Sequence, residues 1–170
     1  MRYDEARPLI QDGDIVFLRR HHGLFANAIT WISQSPETHT CIALWVDSRL
    51  MVAGMASTNC LFPLSHYQDL DFDIYECPAD RVLIRKSAFD FLGVEIPYAF
   101  FDLLTTGIRK LFNLDFGHSS KGMICTAWVV NVLRDAMGHS RFDLIRPDSC
   151  PSDLREMLFC KPKFEVRNAV

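Results

Sequence analysis

The order of the predicted secondary structure most constrains how this chain folds. Short apolar and β-branched runs come first, and each is bounded by turn residues. They predict strands over residues 15–18, 40–46, 50–53 and 72–77, with a hairpin turn at Asp47-Ser48-Arg49. Helical patterns dominate the rest of the chain. Strands that precede helices in this way indicate an α+β fold with an antiparallel sheet.

Apolar residues recur at helical spacing in four longer segments. This periodicity predicts helices over residues 24–32, 82–92, 97–112 and 125–137, and a last helical turn begins at Pro151. Gly93 and Gly138 stand where two of these helices are expected to end, a position that favours glycine.

Length and composition predict one globular unit. At 170 residues and 49% hydrophobic, the chain suits a single domain over residues 1–170. A net charge of −3 gives no electrostatic reason to expect a nucleic-acid partner. No apolar run reaches the roughly 18–20 residues of a transmembrane helix, and the first residues lack the apolar stretch of a secretory signal. We expect a chain that is cytoplasmic at synthesis, with export by another route or a place in a virion left open.

One of the six cysteines has a special position. Cys125 opens an apolar helical run directly after a loop of small and polar residues. In the first turn of a helix, unpaired N–H groups and the helix dipole favour a thiolate. His39, at the start of a strand, supplies the base that such a nucleophile needs. Cys125 and His39 are therefore the predicted catalytic residues. No Cys-x-x-Cys pair is present, so neither a metal nor another cofactor is expected, and Cys41 is interpreted as a packing residue.

Several segments carry a resemblance to a known family. In chain order they are Asp12-Gly13-Asp14-Ile15-Val16-Phe17, Ser35-Pro36-Glu37-Thr38-His39-Thr40-Cys41-Ile42, Ile96-Pro97-Tyr98, Met123-Ile124-Cys125-Thr126-Ala127, Arg146-Pro147 and Pro151-Ser152-Asp153-Leu154. With these motifs the chain resembles the circularly permuted NlpC-type papain-like cysteine hydrolases, which include lecithin:retinol acyltransferase-like enzymes. Ala99, Thr126 and Ala127 replace the Asp, Ser and Glu of the family patterns.

The resemblance implies a papain-like sheet packed against helices, with Cys125 as nucleophile and His39 as general base. It implies a thioester acyl-enzyme formed from a peptide or acyl substrate, with an amide such as a cell-wall peptide as the first expectation. Two alternatives stay open: a lipid thioesterase or acyltransferase, and a catalytically silent binding protein on the same fold. Substrate-binding residues and oligomeric state are not predicted.

The third polar residue of the family, which orients the histidine, has no clear counterpart in this sequence. It is expected about a dozen positions after the His, where residues 50–55 carry no polar side chain. The nearest candidates are Ser57, Thr58 and Asn59. Other polar residues are interpreted as surface: His66, His118 and the loop Arg19-Arg20-His21-His22, for which contact with an anionic substrate is the alternative.

Overall fold

The computed structural model describes residues 1–19, 30, 36–97, 123–138, 149–158 and 161–168. Within these ranges the chain has an α+β fold, in which one antiparallel sheet packs against helices, as predicted. The strands are β1 (Ile15–Arg19), β2 (Glu37–Val46), β3 (Arg49–Met55), β4 (Asn59–Pro63), β5 (Phe72–Tyr75) and β6 (Phe164–Val166). The helices are α1 (Tyr3–Ala6), α2 (Arg81–Leu92), α3 (Cys125–Met137) and α4 (Pro151–Leu158). The strands lie in the order β4-β3-β2-β1-β5-β6, so β2 and β1 occupy the centre.

A tight hairpin sets the position of β2. Asp47 and Ser48 have positive φ angles of 46° and 65°, the conformation of a two-residue turn whose twist matches the flanking strands. From this turn β2 pairs with β3 as far as Ile42 opposite Ala53. On its other side β2 pairs with β1 as far as Glu37, with an irregularity between Leu18 and Arg19 of β1. The first half of β2 therefore extends beyond the paired part of β3.

Both faces of the sheet are covered, which explains why its central strands are almost continuously apolar. One face packs against α2, α3 and α4, and the other packs against α1 and a short helical turn over Leu64–Tyr67. Side chains alternate between the two faces along each strand. Phe17 and Ile42 thus face α3, whereas Leu18 and Cys41 face the opposite side.

Helix α2 holds α3 against the sheet. Ser87 Oγ donates a hydrogen bond of 3.1 Å to the carbonyl of Val132. The Trp128 ring is fully buried and packs edge-on against Phe91, with 6.4 Å between ring centroids. Trp128 lies about one helical turn after Cys125, so these contacts fix the start of α3 relative to the sheet.

A buried carboxylate joins three distant parts of the chain. Asp14 has no exposed surface, and it forms ion pairs with Arg81 at 2.8 Å and Lys163 at 3.1 Å. Its two oxygens also accept hydrogen bonds from the N–H groups of Gln11 and Cys77. Because every partner is a donor or a cation, the charge is compensated in an environment that would otherwise exclude it.

The strands and helices predicted within the described residues are present, with ends that differ by a few residues. Elements α1, β4 and β6 were not predicted. The helices predicted over residues 24–32 and 97–112 lie almost entirely outside the described residues. Among the helices that are described, none has the length and apolar character needed to cross a bilayer.

We expect the variant Asp14→Asn to lose about 2–3 kcal/mol of unfolding free energy, because Arg81 and Lys163 lose the charge that they neutralise. Chemical denaturation measures this loss. Asp90→Asn is the matched control, since Asp90 pairs with Lys86 on the exposed surface of α2 and such pairs contribute little. Equal losses in the two variants would contradict the assigned role of Asp14.

Candidate active site

The unpaired edge of β2 forms one side of the candidate site. Ala43 exchanges backbone hydrogen bonds of 2.8 Å with Asp14 and Gly13, so its polar backbone groups point toward the β1 side. These groups alternate in direction along a strand, and those of Thr40 therefore point toward β3. The pairing with β3 has already ended there. The buried N–H of Thr40 thus lies beyond the last paired residues of that ladder.

Cys125 lies close to β2 where the pairing of β2 with β3 has ended. It is the first residue of α3, and its Sγ lies within hydrogen-bond reach of the N–H of Thr40. No side chain caps α3 at Ile124, and the first hydrogen bond of the helix runs from Trp128 N–H to the carbonyl of Ile124. The N–H groups of Cys125 and Thr126 have no acceptor within the helix. Both instead interact with Sγ.

Two opposing effects act on this thiol. Burial is the larger, and it raises the pKa of Cys125, since only 4% of the residue is exposed. The backbone N–H groups of Thr40 and Thr126 and the nearby hydroxyl of Thr126 act the other way: each favours the thiolate and lowers the pKa. The N–H groups at the helix start thus lower the pKa of Cys125, as the sequence predicts, but desolvation raises it by more. At rest and neutral pH, Cys125 is a thiol.

His39 is the residue before Thr40 on β2, opposite Leu18 of β1. By strand alternation it lies on the sheet face of Leu18 and Cys41, whereas α3 packs on the other face. Cys125 belongs to the buried cluster on the α3 face, and the negative charge of its ionised sulfur raises the pKa of Cys41 after the larger effect of burial. Cys125 thus approaches β2 at Thr40, the residue that follows His39. In the described part of the chain, no hydrogen bond joins the side chains of His39 and Cys125.

Desolvation lowers the pKa of His39 to about 4. The imidazole is therefore neutral at pH 7, with a free nitrogen lone pair that accepts a proton. Part of His39 remains accessible to solvent. The resting pair is a neutral thiol beside a neutral imidazole, rather than a thiolate beside an imidazolium.

The position opposite His39, one residue beyond the end of β3, carries no polar side chain. Continuing the β2–β3 register by three residues from Ile42 and Ala53 places Ala56 opposite His39. Of the candidates for the orienting residue, Asn59 is fully engaged elsewhere, as described below. The hydroxyl of Thr58 donates to the carbonyl of Asn59. These bonds direct Asn59 and Thr58 away from His39, and of the three candidates Ser57 stays a prediction.

Asn59 has a structural role that the sequence did not reveal. Its Nδ2 donates to the carbonyls of Phe91 and Val94, both at 2.7 Å, and its Oδ1 accepts from the N–H of Ile96 at 3.0 Å. These bonds hold the chain that leaves α2. That chain reaches Pro97, whose carbonyl accepts from the N–H of Met123, two residues before Cys125. A single amide therefore helps to position the nucleophile.

Cys41 packs in the core, as predicted. It is 2% exposed, and its neighbour on β3 is Gly54, where an added Cβ would lie 3.0 Å from the Cβ of Cys41. On the far side of Gly54 lies Cys60, whose Sγ donates to the carbonyl of Gly54 at 3.6 Å. Glycine between the two cysteines allows β2, β3 and β4 to pack without a clash. Among the described residues, no group of three His, Cys, Asp or Glu side chains is arranged to hold a metal.

Arg19 does not belong to a solvated loop, which corrects the sequence interpretation. It ends β1 and forms an ion pair of 2.6 Å with Asp73, which is buried, and Glu37 lies 4.0 Å away. Arg155 of α4 binds the same Glu37, which links α4 to β2 two residues before His39. Exposed His66 stacks on Phe62 at the surface, as predicted. Arg20, His21, His22 and His118 lie outside the described residues.

The comparisons with known proteins support the fold. No family model matches the chain, and no curated protein matches it. A crystal structure described as the metalloprotein yiiX from Escherichia coli O157:H7, DUF1105, is similar to it, with 20% identity and a TM-score of 0.57. The match covers 86% of this chain and 81% of the other. At this identity the likeness shows a shared fold and carries no information on the site.

The pKa of His39 predicts a specific pH dependence of stability. Its folded pKa of about 4 lies below the unfolded value of 6.5, so the unfolded chain binds a proton more readily between these pH values. Stability is lost as pH falls from 6.5 to 4 and is constant below that window. His39→Gln should remove this component, on the order of 2 kcal/mol once partial solvent access is considered.

Urea denaturation of the wild type and His39→Gln at pH 4 and pH 7 measures the effect. The difference between the two proteins isolates His39 from carboxylates that titrate in both. A wild type and a variant that lose stability in parallel over this range would show that the imidazole is not desolvated.

Proposed function

We propose that this chain is a cysteine hydrolase that cleaves an amide or peptide bond through a thioester acyl-enzyme. Cys125 is the nucleophile and His39 is the general base, on the family resemblance of their segments. The observation that carries the proposal is the position of the Cys125 sulfur at the start of a helix, against the β2 backbone next to His39. A buried structural cysteine needs no uncapped helix start and no such set of N–H donors.

Because Cys125 is a neutral thiol and His39 a neutral imidazole at rest, the first step is a proton transfer between them. The neutral imidazole of His39 takes the proton of the Cys125 thiol, and the sulfur attacks the carbonyl carbon of the substrate. The N–H groups at the start of α3 stabilise negative charge first on sulfur and then on the carbonyl oxygen. The imidazolium of His39 gives its proton to the leaving amine. Water then attacks the thioester while His39 takes its proton. The acid is released, and that proton passes from His39 to the departing Cys125 sulfur, which restores the neutral thiol and imidazole.

Burial favours a reaction that begins only after substrate binds. A low pKa makes His39 a weak base, and a raised pKa makes Cys125 a weak acid. The ion pair of Cys125 thiolate and His39 imidazolium is therefore scarcely populated before substrate binds. A bound substrate that excludes water strengthens the N–H interactions with the thiolate. The same neutral pair, together with the apolar position opposite His39, favours the second candidate function, a catalytically silent protein that binds a partner.

Covalent labelling distinguishes the two functions. With an electrophilic peptide probe, such as a peptidyl vinyl sulfone, we expect Cys125 to be modified at least about tenfold faster than any other cysteine. Peptide mapping by mass spectrometry identifies the labelled residue. His39→Ala should reduce labelling of Cys125 by about 10³-fold, since the nucleophile and its base act as a unit.

Cys77→Ala is the control, because Cys77 is a half-buried thiol distant in sequence from both residues, and it should leave the labelling of Cys125 unchanged. Slow and uniform labelling of all cysteines, insensitive to His39→Ala, would exclude the hydrolase and leave the silent binding protein.

A further inference from the structure

Two buried hydroxyl groups beside the nucleophile have no hydrogen-bond partner. Thr40 and Thr126 are both 0% exposed, and the Oγ1 atom of each lacks a partner among the described residues. Buried hydroxyls in folded proteins are nearly always paired, so each exception calls for a reason. Thr40 lies on the sheet face that packs against α3, and Thr126 is the second residue of α3.

The two hydroxyls differ in what they reach. The Thr126 hydroxyl lies within hydrogen-bond reach of the Cys125 sulfur, whereas Thr40 reaches that sulfur through its backbone N–H. A protonated thiol is a weak acceptor, which accounts for the unpaired Oγ1 of Thr126 at rest. A thiolate is a strong acceptor, and hydrogen bonds to charged groups are the stronger class. The hydroxyl therefore finds its partner only when the sulfur is ionised.

We propose that Thr126 is a positioning residue for the nucleophile, whose hydroxyl donates a hydrogen bond to the Cys125 thiolate and so favours its formation. This inference deepens the proposed function and rests on it. The proton of the thiol goes to His39, and Thr126 keeps its own proton throughout. When the thioester forms, the sulfur becomes neutral and the hydroxyl loses its acceptor. The interaction thus stabilises the ionised sulfur selectively, over both the thiol before it and the thioester after it.

The inference has an unusual consequence for stability. In the resting protein the Thr126 hydroxyl is desolvated without compensation, so a methyl group of the same shape fits the site better. Thr126→Val should therefore keep or raise the melting temperature while it lowers the reactivity of Cys125. A threonine with a purely structural role would lower both.

Other titratable groups around the first turn of α3 must be kept constant in the test. β2 carries Glu37, His39 and Cys41, and Glu37 is paired with Arg155 of α4. The paired part of β3 beyond Arg49 carries no titratable side chain. On α2, Arg81 pairs with Asp14, Arg85 pairs with Asp12, and Lys86 pairs with Asp90. On α4, besides Arg155, Asp153 accepts a hydrogen bond from the N–H of Cys150. None of these groups is altered in the variants below.

The experiment measures how fast iodoacetamide alkylates Cys125 as a function of pH, in the full chain, with mass spectrometry to follow that residue alone. Thr126→Val should move the midpoint of the rate upward by about one pH unit, which is about a tenfold slower reaction at pH 8. Thr126→Ser restores the hydroxyl and should return the rate to within about twofold of the wild type.

Thr38→Val is the matched control, since it removes another buried threonine hydroxyl from β2, one that donates to the carbonyl of Leu18. It should lower the melting temperature and leave the midpoint in place. The inference is overturned by an unchanged midpoint in Thr126→Val, by a failure of Thr126→Ser to restore it, or by an equal shift in Thr38→Val.

This readout is separate from the test of the proposed function. A midpoint that shifts as expected, in a protein that does not react with the peptide probe, supports the role of Thr126 and contradicts the hydrolase. Probe labelling that depends on His39, with a midpoint insensitive to Thr126→Val, supports the hydrolase and overturns the inference.

Discussion

A single backbone donor, the N–H of Thr40, determines how the site is built. It lies where β2 extends beyond its paired length with β3, buried and directed away from β1. A buried N–H without an acceptor costs about as much as a lost hydrogen bond, so a fold of this kind must bring an acceptor to it. Here the N–H of Thr40 favours the ionised form of the Cys125 sulfur. The start of α3 therefore lies against the residue of β2 that follows His39.

The contacts that hold α3 in this position come from both of its sides. Ser87 and Phe91 of α2 contact the body of the helix, and the amide of Asn59 holds the chain that leads through Pro97 to Met123. The ion pair between Glu37 and Arg155 joins α4 to the same stretch of β2. The reactive sulfur is thus supported by rigid elements, which is what a precise catalytic geometry requires.

The sequence predicts the elements whose residues have a strong local pattern. The β2–β3 hairpin, α2 and α3 follow from alternation, helical periodicity and glycine at the helix ends, because each signal is contained in the segment itself. Strands β4 and β6 carry no such signal: β4 ends in Pro63 and lies at the sheet edge, and β6 has three residues. Their pairing depends on neighbours that are distant in sequence, and this information is not local.

In the candidate site, too, some features follow from local sequence patterns and others depend on residues that are distant in the chain. The place of Cys125 at a helix start and of His39 on a strand follows from local pattern, and both are confirmed as positions in the fold. The hydrogen bonds of Asn59 to the chain that leaves α2 and the ion pair of Arg19 with Asp73 were not predictable, since each joins residues far apart in the chain. The balance between the helix start and desolvation at Cys125 also depends on packing. Sequence indicates which groups favour a thiolate, whereas burial decides how much charge the site tolerates.

This balance explains why polar atoms without partners collect at the start of α3. Thr40 Oγ1 and Thr126 Oγ1 are buried and lack partners within the described part of the chain; Thr126 lies in the first turn of α3 and Thr40 on the strand beneath it. A fold selected for stability alone would have apolar atoms in these positions, because unpaired buried polar groups are destabilising. Of these, the Thr126 hydroxyl is the donor that we propose the Cys125 thiolate would satisfy. On this proposal, the resting protein keeps an uncompensated hydroxyl beside Cys125 that is complementary to a charge the sulfur does not yet carry.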